Sequence, residues 1–329
     1  MRACPNFRDG RFVNALPTNT VSPDKLIETA WMYLEPAERK PRKPIPTESI
    51  PAGFFAHAPA VGLRVTWLGH SAFIIELDGA LILTDPVLYS RSSPFSWIGP
   101  GRFFPCPVAM ADLPEFDAVV ISHDHYDHLA LDEVRVLIPK TKKFIVPLGI
   151  GAHLELWGVP PEKISELYWW EEAVIGNGVR VIAAPARHFS GRGFRRDTTL
   201  WASVALISPS HRVFFSGDSG MTPEFSEIGR RFGPFDCTLI KIGAYGRTWP
   251  DIHINPEQAL EVHRMVRGKA FIPAHWATYN LAAHSWYEPT DRLLAAASGE
   301  GVTVIVPKPG MPVLPEDPPP LVRWWDDLR

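Results

Sequence analysis

The chain has 329 residues, a formal net charge of −3 and a hydrophobic fraction of 46%. Its length and composition suit a globular protein of one large domain or two smaller ones. The near-neutral charge argues against general nucleic-acid binding, and the lack of any apolar run of about 18 residues argues against a membrane-spanning helix.

Cysteine usage and the N-terminal residues indicate the cellular compartment. Cys4, Cys106 and Cys237 are widely spaced and odd in number, so they form no CxxC pair and no disulfide framework. The first 17 residues contain charges but not the apolar core of a signal peptide. These features favour a cytoplasmic protein with free thiols and leave open a peripheral contact with a membrane.

Proline is concentrated at both ends of the chain. Residues 1–60 contain nine prolines, and residues 307–320 contain seven. Such clusters are typical of irregular segments rather than of helices or strands. We therefore predict an N-terminal arm at 1–60 and a C-terminal tail at 307–329, both packed on a core domain at 61–306.

Short apolar runs between these arms predict β-strands. The Asp-Gly pair at 78–79 predicts a hairpin between the second and third runs. In chain order, the predicted strands are 63–68, 72–77, 80–85, 117–122, 143–147, 178–185, 200–207, 212–218, 236–242, 270–275 and 302–307.

Helical patterns separate several of these strands. The clearest start is Asn255, an N-cap residue followed by Pro256 at the first helical position and Gln258 at the third. Two strand-rich halves with interspersed helices predict a layered α/β protein with two packed sheets. The predicted helices are 129–138, 150–157, 223–232, 256–267 and 289–298.

Metal-binding side chains are concentrated directly after predicted strands. The segment HDHYDH at 123–128 follows one strand, and single histidines or aspartates follow three others. Imidazole nitrogens and carboxylate oxygens suit zinc, and also manganese or iron. The candidate ligands are His123, His125, Asp127, His128, His188, Asp218 and His275.

The spacing within HDHYDH is suited to two metal ions. His123 and His125 can face one ion, and Asp127 and His128 can face a second, with Asp218 the best candidate for a bridging carboxylate. Two ions about 4 Å apart can bind a hydroxide that is nucleophilic at neutral pH. A single histidine after a strand is usually only a surface or hydrogen-bonded residue. So many ionisable groups packed together without a cation would be costly.

These motifs together resemble the metallo-β-lactamase superfamily. HDHYDH matches its HxHxDH motif, and WLGHSAF (67–73), LTDP (83–86), SGDSG (216–220) and PAHW (273–276) occur in the same order. The resemblance covers roughly residues 60–285. It implies an α/β protein of the metallo-β-lactamase fold, a four-layer αβ/βα sandwich with a dimetal site at one edge.

The resemblance also implies how the ligands are divided. His123, His125 and His188 would hold one ion, and Asp127, His128 and His275 the other, with Asp218 bridging. We therefore expect two divalent metal ions, with zinc favoured and iron or manganese as alternatives.

Three further segments resemble one subgroup, the phospholipase D that hydrolyses N-acyl-phosphatidylethanolamine and its bacterial relatives. They are HDHYDHL (123–129), GPGRFFPCP (99–107) and HINPEQAL (253–260). The implied activity is a phosphodiesterase of phospholipase D type that acts on such lipids through a metal-bridging hydroxide. A lactonase or carboxyl-ester hydrolase would use the same dimetal site. A non-hydrolytic metal-binding protein is the third alternative.

Several other residues are given roles by this resemblance. Asp127, Asp218 and His253 are the predicted catalytic residues, and His253 would contact the phosphate or protonate a leaving oxygen. His70 and Asp85 would support ligands by hydrogen bonds. Tyr126 would either donate a hydrogen bond to substrate or pack, and Asp124 is not expected to be a ligand.

The expected partner is a small-molecule or lipid substrate, without nucleic acid and with no prediction of oligomeric state. The segment 95–105 is rich in aromatic residues, glycine and proline. It either covers the sandwich as a packed loop, lines a groove for an acyl chain, or touches a membrane with Arg102 near a phosphate. Trp324 and Trp325 are expected to pack, and Arg195 and Arg196 to lie in a solvated loop.

Overall fold

A computed structural model describes residues 4–20, 25–57, 59, 62–93, 95, 97–193 and 195–329. Residue 61, the predicted start of the core domain, lies outside these ranges. The strands, in chain order, are β1 (Phe7–Arg8), β2 (Arg11–Phe12), β3 (Leu63–Gly69), β4 (Ala72–Leu77), β5 (Ala80–Thr84), β6 (Phe116–Val120), β7 (Thr141–Pro147), β8 (Ile164–Leu167), β9 (Glu172–Val174), β10 (Arg180–Ala184), β11 (Ser203–Ile207), β12 (Arg212–Phe215), β13 (Phe235–Lys241), β14 (Gly268–Ala274), β15 (Thr303–Val304) and β16 (Pro312–Val313). The α-helices are α1 (Leu26–Leu34), α2 (Leu131–Leu137), α3 (Gly151–Leu156), α4 (Glu224–Phe232), α5 (Pro256–Met265) and α6 (Glu288–Ala297).

Two seven-stranded mixed sheets form the body of the protein. The first has the order β16-β3-β4-β5-β6-β7-β8, and the second has the order β15-β14-β13-β12-β11-β10-β9. Strands β5 to β8 of the first sheet run parallel, as do β12 to β15 of the second. The loops that follow β6, β12 and β14 begin at the carboxyl ends of these parallel strands.

The helices cover the outer faces of the two sheets. A large core cluster contains side chains from both sheets, together with apolar residues of α4, α5 and α6. A separate cluster joins the first sheet to α2 and α3. This gives four layers, helix–sheet–sheet–helix, and confirms the predicted αβ/βα sandwich.

Local sequence signals explain where individual elements begin. At the start of α5, the Asn255 side chain accepts a hydrogen bond from the Gln258 backbone N–H at 2.9 Å, and Gln258 accepts one in return at 3.0 Å. This reciprocal pair is a capping box. Asp78 and Gly79 both have positive φ, 46° and 84°, as the tight turn between β4 and β5 requires.

The C-terminal segment is part of the sandwich. Strand β16 pairs antiparallel with β3, extending the first sheet by one strand. Trp325 is fully buried and lies edge-on to Trp276 with ring centroids 5.8 Å apart. Trp276 in turn stacks on Trp67 of β3, with ring centroids 5.7 Å apart and an interplanar angle of 4°. The tail thus closes the core behind the loop that follows β14.

Two expectations drawn from composition can be compared with the structure. All three cysteines are free thiols. Among the described residues, no helix is long and apolar enough to cross a bilayer.

Candidate metal centre

The predicted ligands meet at one edge of the sandwich, at the carboxyl ends of strands from both sheets. HDHYDH follows β6 of the first sheet, whereas Asp218 follows β12 and His275 follows β14 of the second. His188 comes from the loop after β10. Although HDHYDH and His275 are separated by about 150 residues in sequence, parallel strands bring their loops to the same edge.

Three histidines form the first group. His125 Nδ1 lies 2.8 Å from His123 Nε2 and 3.3 Å from His188 Nε2. One nitrogen from each ring therefore faces a common point. This is the trio that the family resemblance assigned to one ion.

Asp218 lies between that trio and a second group. Its Oδ2 is 3.9 Å from His188 Nε2, 3.5 Å from His128 Nε2 and 3.1 Å from His275 Nε2. Asp127 Oδ2 lies 3.4 Å from the same nitrogens of His128 and His275. The structure thus brings all seven predicted ligands together, with Asp218 in the position expected of a bridging carboxylate.

Unpartnered polar atoms test whether this cluster fits a metal. Among the predicted ligands, four buried side-chain atoms have no hydrogen-bond partner: His128 Nε2, His275 Nδ1, His275 Nε2 and Asp218 Oδ1. Leaving each such atom unpaired costs about 1–3 kcal/mol. Imidazole and carboxylate are the donors that zinc, manganese and iron accept. The residues present therefore fit a divalent metal centre.

The pKa shifts of two predicted ligands also favour a bound cation. Burial acts to lower the pKa of His128, but the carboxylates of Asp218, Asp127 and Asp85 outweigh it and raise that pKa well above its ordinary value. Burial alone would raise the pKa of Asp218, yet the neighbouring His275 and Lys241 hold it well below its usual range. The carboxylates thus stay ionised and favour a cation between them.

A family model described as a beta-lactamase superfamily domain matches residues 81–276, more than half of the chain. The chain belongs to the metallo-β-lactamase superfamily. It is a metal-dependent hydrolase of that superfamily, and its relatives include N-acyl-phosphatidylethanolamine-hydrolysing phospholipases D, as the resemblance predicted.

Several similar proteins match this chain over most of its length. An uncharacterised protein of Mycobacterium tuberculosis is 48% identical over 328 residues, covering 98% of this chain and 87% of the relative. N-acyl-phosphatidylethanolamine-hydrolyzing phospholipase D 1 of Caenorhabditis elegans is 39% identical over 263 residues, covering 76% and 73%. A metallo hydrolase of Ignicoccus hospitalis shares the fold, with a TM-score of 0.59, 24% identity, and coverage of 76% of this chain and 97% of that one.

In this member of the superfamily, Asp85 forms hydrogen bonds beside two of the predicted ligands. Its Oδ2 accepts from His128 Nδ1 and from the Ser122 hydroxyl, both at 2.6 Å, and its Oδ1 accepts from the Ser122 backbone N–H at 2.7 Å. The Ser122 hydroxyl is also 2.9 Å from His123 Nδ1. One buried carboxylate therefore contacts a predicted ligand of one group directly and reaches a predicted ligand of the other through Ser122.

His70 contacts the candidate centre from the turn between β3 and β4. Burial lowers the pKa of His70 to about 3, so the ring is neutral at pH 7. Its Nε2 lies 3.0 Å from Asp127 Oδ2, and because a carboxylate only accepts, His70 donates. His70 and His275 both have positive φ, 56° and 61°. Such backbone strain in non-glycine residues is concentrated at functional sites.

We expect Asp85→Asn to weaken metal binding by roughly 10–100-fold, the usual effect of losing a partner that orients a ligand. The amide would place a donor against the Ser122 donors and leave His128 less firmly held. Metal affinity is measured by competition with a chelator. Asp117→Asn is the matched control, because Asp117 also accepts a backbone N–H, from Leu81 at 2.8 Å, but lies away from the centre. Equal affinities in the two variants would contradict this role.

Tyr126 and Asp124 are turned away from the ligands. The Tyr126 hydroxyl donates to the Arg192 backbone carbonyl at 2.8 Å, and the Arg192 guanidinium lies 4.0 Å from the centroid of its ring. Packing is therefore the alternative that the structure favours for Tyr126. Asp124 accepts from the Gly191 backbone N–H at 2.7 Å and lies 3.6 Å from His153 Nε2. It takes no part in the ligand groups found among the described residues.

The contacts of Arg102 bear on the alternatives for the segment 95–105, which are a packed loop, an acyl-chain groove and a membrane contact. The Arg102 guanidinium donates to the backbone carbonyls of Val87, Phe104 and Leu68. These three hydrogen bonds hold the loop against the core, so packing is the alternative that the structure favours for Arg102. Ser96 lies outside the described residues. Arg195 and Arg196 are exposed, as a solvated loop requires.

His253 and one unpredicted residue complete the centre. His253 Nδ1 lies 3.7 Å from Asp218 Oδ2, and it contacts the ammonium of Lys241. Lys241 lies within the predicted strand 236–242 and is not among the predicted site residues. Its signal was a lone lysine near the end of the apolar run DCTLIKI (236–242), where a charge has no reason to be buried without a partner.

Proposed function

We propose that this protein is a dinuclear metal-dependent phosphodiesterase of phospholipase D type, acting on N-acyl-phosphatidylethanolamine-like lipids. The observation that carries the dinuclear part is the position of Asp218, within 3.9 Å of histidine nitrogens from both ligand groups. The substrate class is supported by the 39% identity to the Caenorhabditis elegans phospholipase D over 76% of the chain.

In this proposal, the two ligand groups hold one ion each, with zinc favoured over iron or manganese. When bound, the ions supply Lewis acidity and a water-derived nucleophile at neutral pH. The first group is His123, His125 and His188, the second is Asp127, His128 and His275, and Asp218 is shared.

The residues of the chain would then orient the substrate and stabilise its charge. The His253 side chain keeps 15% of its surface exposed, whereas the Asp218 side chain beside it keeps only 2%. His253 therefore lies beside the predicted ligand Asp218 and is accessible to substrate. We assign it to a substrate oxygen, where an N–H donor stabilises the charge that develops in the transition state.

A lipid substrate also needs an apolar surface at the protein boundary. Phe95, Trp97 and Ile98 are each at least half exposed, on the loop whose other end is anchored by Arg102. Exposed aromatic residues are common where proteins meet the membrane interface. We propose that this loop contacts lipid, which makes the protein peripheral to a membrane during turnover.

The test combines metal analysis with hydrolysis assays on the same sample. We expect about two zinc per chain, cleavage of bis(p-nitrophenyl) phosphate, and release of phosphatidic acid from N-acyl-phosphatidylethanolamine vesicles. Two metals without phosphodiesterase activity would reject the proposal and favour a lactonase or carboxyl-ester hydrolase. Little metal, or mostly iron without phosphodiesterase activity, would favour the non-hydrolytic alternative.

A further inference from the structure

Lys241 is a fully buried lysine at the carboxyl end of β13, the strand between those that carry Asp218 and His275. Lysine is almost never fully buried without partners. Its ammonium contacts two groups, the Gly243 backbone carbonyl at 3.1 Å and the His253 Nδ1. It therefore reaches the metal centre through His253.

The chemistry of this contact determines where the His253 ring carries its proton. An ammonium has three donors and no acceptor. Burial lowers the pKa of Lys241 to about 8, with the Asp218 carboxylate opposing that effect, so the ammonium form dominates at pH 7. A donor facing Nδ1 requires Nδ1 to accept, and in a neutral imidazole the proton then lies on Nε2.

The same contact bears on the ligand set. His188, Asp218 and His253 offer atoms close enough together to hold a cation, with His253 contributing Nδ1. A nitrogen that accepts from an ammonium has its lone pair engaged and is unavailable to a metal. The other ring nitrogen of His253 is Nε2, and 15% of the side-chain surface is exposed.

We propose that Lys241 is a positioning residue that holds His253 as the Nε2–H tautomer, keeps His253 out of the metal ligand set, and so presents an N–H donor to a substrate oxygen. The final clause rests on the proposed phosphodiesterase function. The tautomer and the exclusion from the ligand set do not, since they follow from the contacts of Lys241 with His253 and Gly243.

The direct test is ring ¹⁵N NMR of the zinc-loaded, histidine-labelled protein at pH 7, with the His253 signals identified by their loss in His253→Gln. We expect a protonated Nε2 and an unprotonated, metal-free Nδ1. Lys241→Met, which keeps the length and apolar stem, should abolish this tautomer preference at unchanged zinc content. Lys241→Gln, which retains an N–H donor without charge, should preserve it.

Kinetics on bis(p-nitrophenyl) phosphate test the functional clause. We expect His253→Gln to lower kcat/KM on the order of 100-fold, Lys241→Met to lower it on the order of 10-fold or more, and the double variant to lose no more than His253→Gln alone. Additive losses would overturn the positioning role.

The NMR experiment tests the His253 tautomer and its exclusion from the metal ligand set even if the protein has no hydrolytic activity. Wild-type His253 carrying its proton on Nδ1, or binding zinc through Nδ1, would overturn the proposal even if Lys241→Met failed to fold. An inactive wild-type enzyme with the expected tautomer would reject the phosphodiesterase function and leave the structural part of the proposal standing.

Discussion

Asp218→Ala is expected to abolish binding of at least one metal ion per chain and to lower kcat/KM on the order of 10³-fold or more. The reason is its central position, since one oxygen of Asp218 lies within 3.9 Å of His128, His188 and His275. Removing it takes a negative charge from both ligand groups at once. Elemental analysis and the phosphodiester assay measure the two effects on one sample.

Thermal unfolding gives a third measurement on this variant. A metal that binds only the folded state stabilises it by an amount that grows with free metal concentration. We expect added zinc to raise the Tm of the chelator-treated wild type and to have little effect on Asp218→Ala. Asp132→Ala, an exposed position in the first turn of α2, is the control and should behave as wild type. Full zinc stabilisation of Asp218→Ala would contradict a bridging role.

Trp325→Ala is expected to destabilise the protein by about 3–5 kcal/mol, the usual cost of removing a large buried aromatic side chain. Trp325 is fully buried, its ring lies edge-on to Trp276, and its indole N–H donates to Asp291 at 2.9 Å. Because Trp276 directly follows His275, we also expect weaker zinc binding. Urea unfolding, with unchanged m-value, measures the loss of stability.

Trp31→Ala is the matched control for this substitution. Trp31 lies on α1 with 62% of its surface exposed, so its replacement should change the free energy of unfolding by no more than about 0.5 kcal/mol. A loss below 1 kcal/mol for Trp325→Ala would mean that the C-terminal segment is a surface appendage and not part of the core.

Much of the fold is predictable from periodicity and turn chemistry. All eleven predicted strands and all five predicted helices overlap observed elements. The missed elements have weak local signals. Strands β8 and β9 lie at sheet edges and are only partly apolar, and β16 is a two-residue strand in a proline-rich tail. Helix α1 lies in the arm that proline content predicted to be irregular. Such elements depend on tertiary pairing more than on local pattern.

The candidate site divides in the same way. HDHYDH is visible because its residues are adjacent, and the distant His188, Asp218 and His275 are identifiable because each follows a strand. The supporting residues are different. Ser122 is an ordinary serine in sequence, and only the loop geometry brings it between Asp85 and His123. The proposed role of Lys241 likewise depends on its contact with His253, twelve residues away, which no local sequence spacing predicts.

The division of the ligands between the sheets has a consequence for reassembly of the molecule from pieces. The candidate ligands at 123–128 belong to the half that ends with β8, and His188, Asp218 and His275 belong to the half that begins with β9. A chain cleaved at 168–171 would yield two fragments, each holding an incomplete set of donors. Association of the fragments would bury the core that the two sheets share and restore the pairing of β16 with β3, and only the associated pair would hold all seven candidate ligands. Metal uptake would serve as a readout of whether the two halves have found each other.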